Sequence, residues 1–230
     1  MITPTSLSTR PRPSRRSAAA QSARKRIRSV NYDTGSSLAE ARRLYFEANG
    51  FPADGGYEAA WVDFELGPVP LPFPNTNARR RAVKIHDLHH VLTGYRTDIF
   101  GEVEISAWEL GAGCGSMVAA WVLNLGGMAL GMLIAPRRTW QAWLHGRSAQ
   151  SLYGEVCDEI LLARRVGDVR AKLRIDAPTD ARFWDVLLFF GYWQVGAWGS
   201  LALLPLCLVS ATAWTWLGAS RAASSDSPPS

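Results

Sequence analysis

The sequence predicts an all-α fold with an apolar C-terminal extension. Three observations predict it: apolar residues recur at helical spacing between capping signals, alternating β-branched runs are missing, and two long uncharged stretches, 110–135 and 186–220, follow a polar first half. With 230 residues, 47% apolar and 20% charged, the chain suits one domain and can bury a sizeable core, which excludes a wholly disordered protein. The net charge of +5 is unevenly spread. Residues 1–30 hold eight of the 25 Lys and Arg and no Asp or Glu, so the remainder is net acidic and offers no second basic face. No nucleic-acid partner is expected. Cys114, Cys157 and Cys207 are odd in number and lack CxxC spacing, which argues against a disulfide scaffold and a thiolate zinc knuckle. Metal chemistry here must use nitrogen and oxygen donors.

In chain order, residues 1–30 are rich in Arg, Ser, Ala and Pro and lack the apolar run of a secretory signal. They read as a disordered basic tail able to touch anionic lipid; the composition also matches a transit peptide, although Pro4, Pro11 and Pro13 interrupt an amphipathic helix. Residues 31–183 form the helical domain. Leu38, Ala41, Tyr45 and Ala48 predict a helix over 37–49, stopped by Gly50. Pro68, Pro70, Pro72 and Pro74 exclude helix interior and central strand, making 66–78 a connector. A helix over 78–92 closes at Thr93 and Gly94, and the next begins near Asp98, a good N-cap residue.

The stretch 110–135 exceeds the roughly 20 residues of a bilayer span, yet a buried helix would look equally apolar. Its Gly111/Gly115 and Gly127/Gly131 pairs permit close helix contact in either setting. The polar segment 136–185 carries helical patterning in SLYGEVCDEILLARR. Residues 184–218 read as an apolar membrane anchor or interfacial hairpin, with Tyr192, Trp193 and Trp198 toward one end, Trp214 and Trp216 toward the other, and Pro205 between. Residues 219–230 read as a disordered tail.

Three of the four histidines fall within five residues, in KIHDLHHVLTGYRTDIFGE. On a helix, His86 and His90 lie one turn apart on one face and can reach one ion. Asp87 and His89 flank that face, and Glu102 follows on the next helix, which runs back antiparallel. Two imidazoles and two carboxylates neutralise a divalent cation, zinc first, with iron, manganese or cobalt still allowed. Glu109, seven residues after Glu102, shares its helix face and is placed to support the ligands. A solvated helix face rich in histidine and acid is the competing reading. Glu104 and His145 have no such spacing and read as surface residues. Position 87 is Asp where zincin proteases use Glu, and no histidine precedes His86 as HD phosphohydrolases require.

The text HDLHHVLTGYRTDIFGE matches HDxxH-x11-E and resembles the ubiquinone (coenzyme Q) biosynthesis protein 4 family, with likeness from about Ala39 to Ile175. The resemblance implies a membrane-associated helical protein with a metal site between two helices, ligated by His86, Asp87, His90 and Glu102. It also implies a polyprenylated benzoate held in an apolar tunnel and replacement of its C1 carboxyl by hydroxyl, a metal-dependent oxidative decarboxylase or lyase activity. Expected partners are the polyprenylated quinone precursor, membrane lipid, and other ubiquinone-biosynthesis enzymes or a second copy. Two alternatives stay open: a non-catalytic lipid-binding scaffold for those enzymes, and a metal-dependent lipid hydrolase. The expected location is the cytoplasmic face of the bacterial inner membrane, or the matrix face of the mitochondrial one if the tail is a transit peptide. The sequence departs from the family pattern in its C-terminal extension and in His89, which stands where a bulky aromatic is usual and competes for the ion. Arg79, Arg80, Arg81 and Lys84 precede the site as a basic patch, either solvated or facing anionic head groups or the substrate carboxylate.

Overall fold

The computed structural model describes residues 32–62, 65–66, 69–70 and 73–202. The expected tails, 1–30 and 219–230, and the 203–218 part of the anchor lie outside the described residues.

Local signals start and stop the first helices as the sequence predicts. Helix α1 (Leu38–Asn49) is capped by Ser37, whose hydroxyl accepts the Glu40 N–H, and closes on Gly50 at φ 71°. Strands β1 (Trp61–Val62) and β4 (Phe73–Pro74) pair antiparallel, as do β2 (Glu65–Leu66) and β3 (Val69–Pro70). These two-residue ladders tolerate proline because neither has a central strand. Helix α2 (Asn77–Thr93) starts at Thr76 and closes on Gly94, and α3 (Ile99–Ala112) starts at Asp98, which accepts the Gly101 N–H.

The stretch 110–135 is not one helix. Helix α3 ends inside it, the chain turns through Gly113 and Gly115 at positive φ, and α4 (Val118–Ile134) restarts for 17 residues. Among the described residues no helix is long and apolar enough to cross a membrane. Pro136 then opens α5 (Pro136–Ser148) at its first turn. The helical pattern read over 151–165 shrinks to the four-residue α6 (Glu159–Leu162), because Asp158 caps it late and 151–158 stays non-helical. Helix α7 (Val166–Leu173) follows, and residues 183–202 form α8.

The fold is mainly α, built around α3, which packs against α4 and α5. Gly127 and Gly131 bring α4 against Ser106 and Val103 of α3, while Gly111 of α3 and Gly146 of α5 meet each other's backbone. The glycine pairs thus serve a protein core, with Gly115 outside the contact. Trp108 and Trp143 fill the space between, both fully buried, and burying two such rings is worth several kcal/mol, on the order of 3 each. Helix α8 lies on this body through Phe189 and Tyr192, which pack on Trp143.

Candidate metal centre

Helix α2 brings His86 and His90 onto one face, and α3 supplies Glu102 opposite. The two imidazole Nε2 atoms stand 3.2 Å apart. One Glu102 oxygen lies 3.4 Å from His86 Nε2 and the other 3.4 Å from His90 Nε2. Three donor atoms, one from each residue, fall within 4.8 Å of one another. His90 is buried, His86 mostly so, and the Glu102 side chain is 41% exposed, so the cluster opens to solvent at the carboxylate.

The outer nitrogens decide the chemistry of the inner ones. His90 Nδ1 lies 2.9 Å from the Tyr95 carbonyl, which the Gly94 turn folds back toward α2. A carbonyl only accepts, so this nitrogen carries the proton. His86 Nδ1 lies 3.0 Å from the Glu109 carboxylate and likewise donates. Both neutral rings therefore aim lone pairs at the same point, beside a third anionic group. Such convergence requires a positive charge, either a proton or a cation. Two nitrogens sharing a tetrahedral ion at ordinary zinc distances stand about 3.3 Å apart, close to the spacing present here.

Glu109 is fully buried and saturated. Its Oε1 accepts from His86 and, at 2.6 Å, from His89 Nδ1; its Oε2 accepts from Asn124 Nδ2 at 2.6 Å and Tyr153 Oη at 2.7 Å. Burial would raise its pKa, but the imidazoles of His86 and His89 hold it well below the ordinary carboxylate range. Glu102 is held low in the same way by His90 and His86. Burial would lower the His86 pKa, yet Glu109 and Glu102 outweigh it and hold the ring well above the ordinary imidazole value. The expected supporting role of Glu109 thus has a geometric basis: it orients a ligand ring from behind.

His89 does not compete for the ion. Its Nε2 accepts the Leu152 backbone N–H at 2.9 Å and its Nδ1 donates to Glu109, so both nitrogens are engaged inside the core. Burial pushes its pKa down. Asp87, expected as a ligand, lies outside the converging trio. Its carboxylate accepts from Tyr57 Oη at 2.5 Å and Tyr45 Oη at 3.3 Å, and burial raises its pKa. Neither Glu104 nor His145 is a free surface residue: Glu104 forms a two-point pair with Arg138, and His145 bridges Tyr95 Oη and the Ile175 carbonyl. Of the basic patch, Arg80 pairs with Glu58 and Lys84 lies over the Tyr57 ring.

The residues that sequence reasoning left without a role are Tyr45, Tyr57, Asn124 and Tyr153. Only Asn124 carried a signal, as an amide in the middle of an uncharged stretch. Comparisons with protein-family models, with curated proteins and with solved structures find no match to this chain.

Proposed function

We propose that this chain is a divalent-metal protein of ubiquinone biosynthesis that receives a polyprenylated 4-hydroxybenzoate-type ring and promotes replacement of its C1 carboxyl by hydroxyl. The carboxyl leaves as CO₂, the hydroxyl comes from water, and dioxygen takes up the two electrons and two protons as hydrogen peroxide. One observation carries the reading: two imidazole lone pairs and a carboxylate converge, within the text HDLHHVLTGYRTDIFGE, on a point open to solvent on one side. The donor set fits a resident ion, since two histidines and one carboxylate are shared by catalytic zinc sites and by non-haem iron oxygenases. Zinc is our first assignment. When bound, the ion supplies Lewis acidity toward a ring oxygen.

The chain's own residues do the rest. Glu109 and the Tyr95 carbonyl fix the two ring orientations, so the donors need little rearrangement on loading. The partly exposed Glu102 marks the side from which a head group arrives. Asp87, Tyr57 and Tyr45 form a buried hydrogen-bonded group beside the centre, in which burial raises the Asp87 pKa above the ordinary aspartate value. A polyprenyl tail is nearly insoluble in water, so it must come from a bilayer, and the uncharged helix α4 is an apolar wall adequate to host it.

Elemental analysis of the purified full chain tests the site. One divalent ion per chain is expected, lost in His90→Ala and kept in His145→Ala; equal retention removes the assignment. Loaded protein with a short-chain 4-hydroxy-3-prenylbenzoate and oxygen should then yield the C1-hydroxylated product by mass spectrometry. No turnover with lipid still bound favours the scaffold, and oxygen-independent head-group release favours a hydrolase.

A further inference from the structure

A second site of a different kind lies at the start of α8. A cavity of about 360 Å³ opens there, lined by Arg147, Ser148, Arg174, Asp180, Arg182 and Asp185 among others. Three guanidinium groups face two carboxylates. The Asp185 charge is already committed: Oδ1 accepts from Arg147 Nε at 2.8 Å and Oδ2 from the Arg182 backbone N–H at 3.1 Å. The Arg182 charge acts on the Asp185 carboxylate beside it, while the Arg174 guanidinium has no hydrogen-bond or ion-pair partner among the described residues. With three guanidinium groups against two carboxylates the lining keeps an excess of positive charge and one unpaired fork, at Arg174, which suits a phosphate, whose oxygens match guanidinium geometry.

Arg174 holds its place against local preference. It is the C-cap of α7 at φ 56°, the one non-glycine residue with positive φ among those described. Glycine is the usual occupant of that position, because a Cβ is strained there. An arginine here lines the cavity at the expense of backbone comfort, the kind of departure that marks function.

The surroundings name the source of the phosphate. Immediately after Arg182, Phe183 and Trp184 are 70% and 69% exposed, with ring centroids 5.7 Å apart. Further along α8, Leu187, Leu188, Val195, Trp198 and Leu201 are exposed, while Asp185, Phe189 and Tyr192 turn toward the body. Aromatic rings beside basic groups, followed by an uncharged apolar face, describe a helix lying in a lipid head-group layer. A soluble phosphate would leave that face unexplained.

We propose that the Arg147, Arg174 and Arg182 cavity takes the phosphate of an anionic membrane lipid and seats the apolar face of α8 in the bilayer surface. The site rests on the functional reading only for the presence of a membrane and is independent of the metal chemistry, so metal content and vesicle binding fail separately.

The test is flotation of the full chain with phosphatidylcholine vesicles, with and without phosphatidylglycerol. Binding should be tighter to the anionic vesicles and weaken with salt. Arg174→Gly with Arg182→Gln should lose roughly five-fold per arginine, about 25-fold together. Arg174→Gly alone should keep or raise the thermal midpoint, since glycine relieves the left-handed backbone, so a loss of binding is not a loss of fold. The basic 1–30 segment provides the charge-matched control: Arg15→Gln with Arg16→Gln should cost less than the cavity pair. An equal loss from the two pairs, equal binding of the parent chain to both vesicle types, or calorimetric binding of inorganic phosphate with vesicle affinity indifferent to Arg174 would each overturn the proposal.

Discussion

Two histidines three positions apart have opposite chemistry, and their partners decide it. His89 is closed by a backbone N–H on one nitrogen and Glu109 on the other, whereas His86 shares the same carboxylate but leaves Nε2 facing His90 and Glu102. A pH dependence follows from His86. In metal-free protein its pKa is raised over an unfolded value of about 6.5, so its stabilisation is fully present below about pH 6.5 and is lost as pH rises through the folded value. Metal binding has the opposite sign, because the proton on Nε2 must leave before an ion can take its place. The gap in thermal midpoint between metal-loaded and chelator-treated protein should therefore widen from about pH 6 to about pH 8. A gap that stays flat or narrows would show that no ligand proton is displaced. The imidazole pair of the trio was legible in the sequence because i, i+4 spacing is a local rule. The partners of Asp87 and Glu109 were not: Tyr45 and Tyr57 lie 42 and 30 positions from Asp87, and Tyr153 lies 44 from Glu109, and no local pattern links them.

Helix α3 holds the centre in place because its neighbours come unusually close. A Cβ on Gly146 of α5 would strike the Trp108 carbonyl of α3, a backbone atom that cannot step aside. Gly126 of α4 faces open space apart from Ser200 Oγ at 3.8 Å. The same substitution should therefore have opposite signs at the two positions. Gly126→Ala should stabilise by up to about 1 kcal/mol through helix propensity, and Gly146→Ala should destabilise by about 1–3 kcal/mol through overpacking. Urea unfolding with an unchanged slope reads both. A neutral Gly146→Ala would mean that α3 and α5 are not in backbone contact. The glycine spacing in 110–135 forecast close packing correctly at Gly127 and Gly131, but Gly146 belongs to no such pair, and its role emerges only from the crossing of α3 and α5. The cap at Asp98 and the stops at Gly50 and Gly94 were readable for the same reason the histidine spacing was, since each acts within about one helical turn. The pattern over 151–165 misled because long-range bonds override it: Gln150 N–H reaches the Leu173 carbonyl and Leu38 N–H the Arg164 carbonyl.

At the scale of the molecule, the question is how an uncharged segment is attached to a polar domain. Sequence hydropathy left 110–135 open between core and membrane and read 184–218 as an anchor or interfacial hairpin, because it cannot separate a helix apolar on all sides from one whose inner face is covered. Here Phe189, Tyr192 and Gly196 cover one face of α8 against Trp143, Trp121 and the Leu125 backbone, and Leu187, Val195, Trp198 and Leu201 on the other face are exposed. Asp185 is the polar fastener of this join: it is buried, pairs with Arg147, accepts the Arg182 N–H, and its carbonyl receives the Trp143 indole N–H. Burial would raise its pKa, but the Arg147 and Arg182 bonds outweigh it and hold it below the ordinary aspartate value. Its contribution is therefore present above about pH 4, the unfolded value, and is lost as pH falls through the lower folded one. Asp185→Ala should cost about 1–2 kcal/mol at neutral pH, since Arg147 is partly solvated, and the difference from the parent chain should shrink below about pH 4. Because the metal centre shares none of these bonds, the variant should keep its ion while amide exchange accelerates over 183–202. Loss of the ion with α8 still protected would sink this account, since it would tie Asp185 to the metal centre and leave α8 held by its apolar face alone.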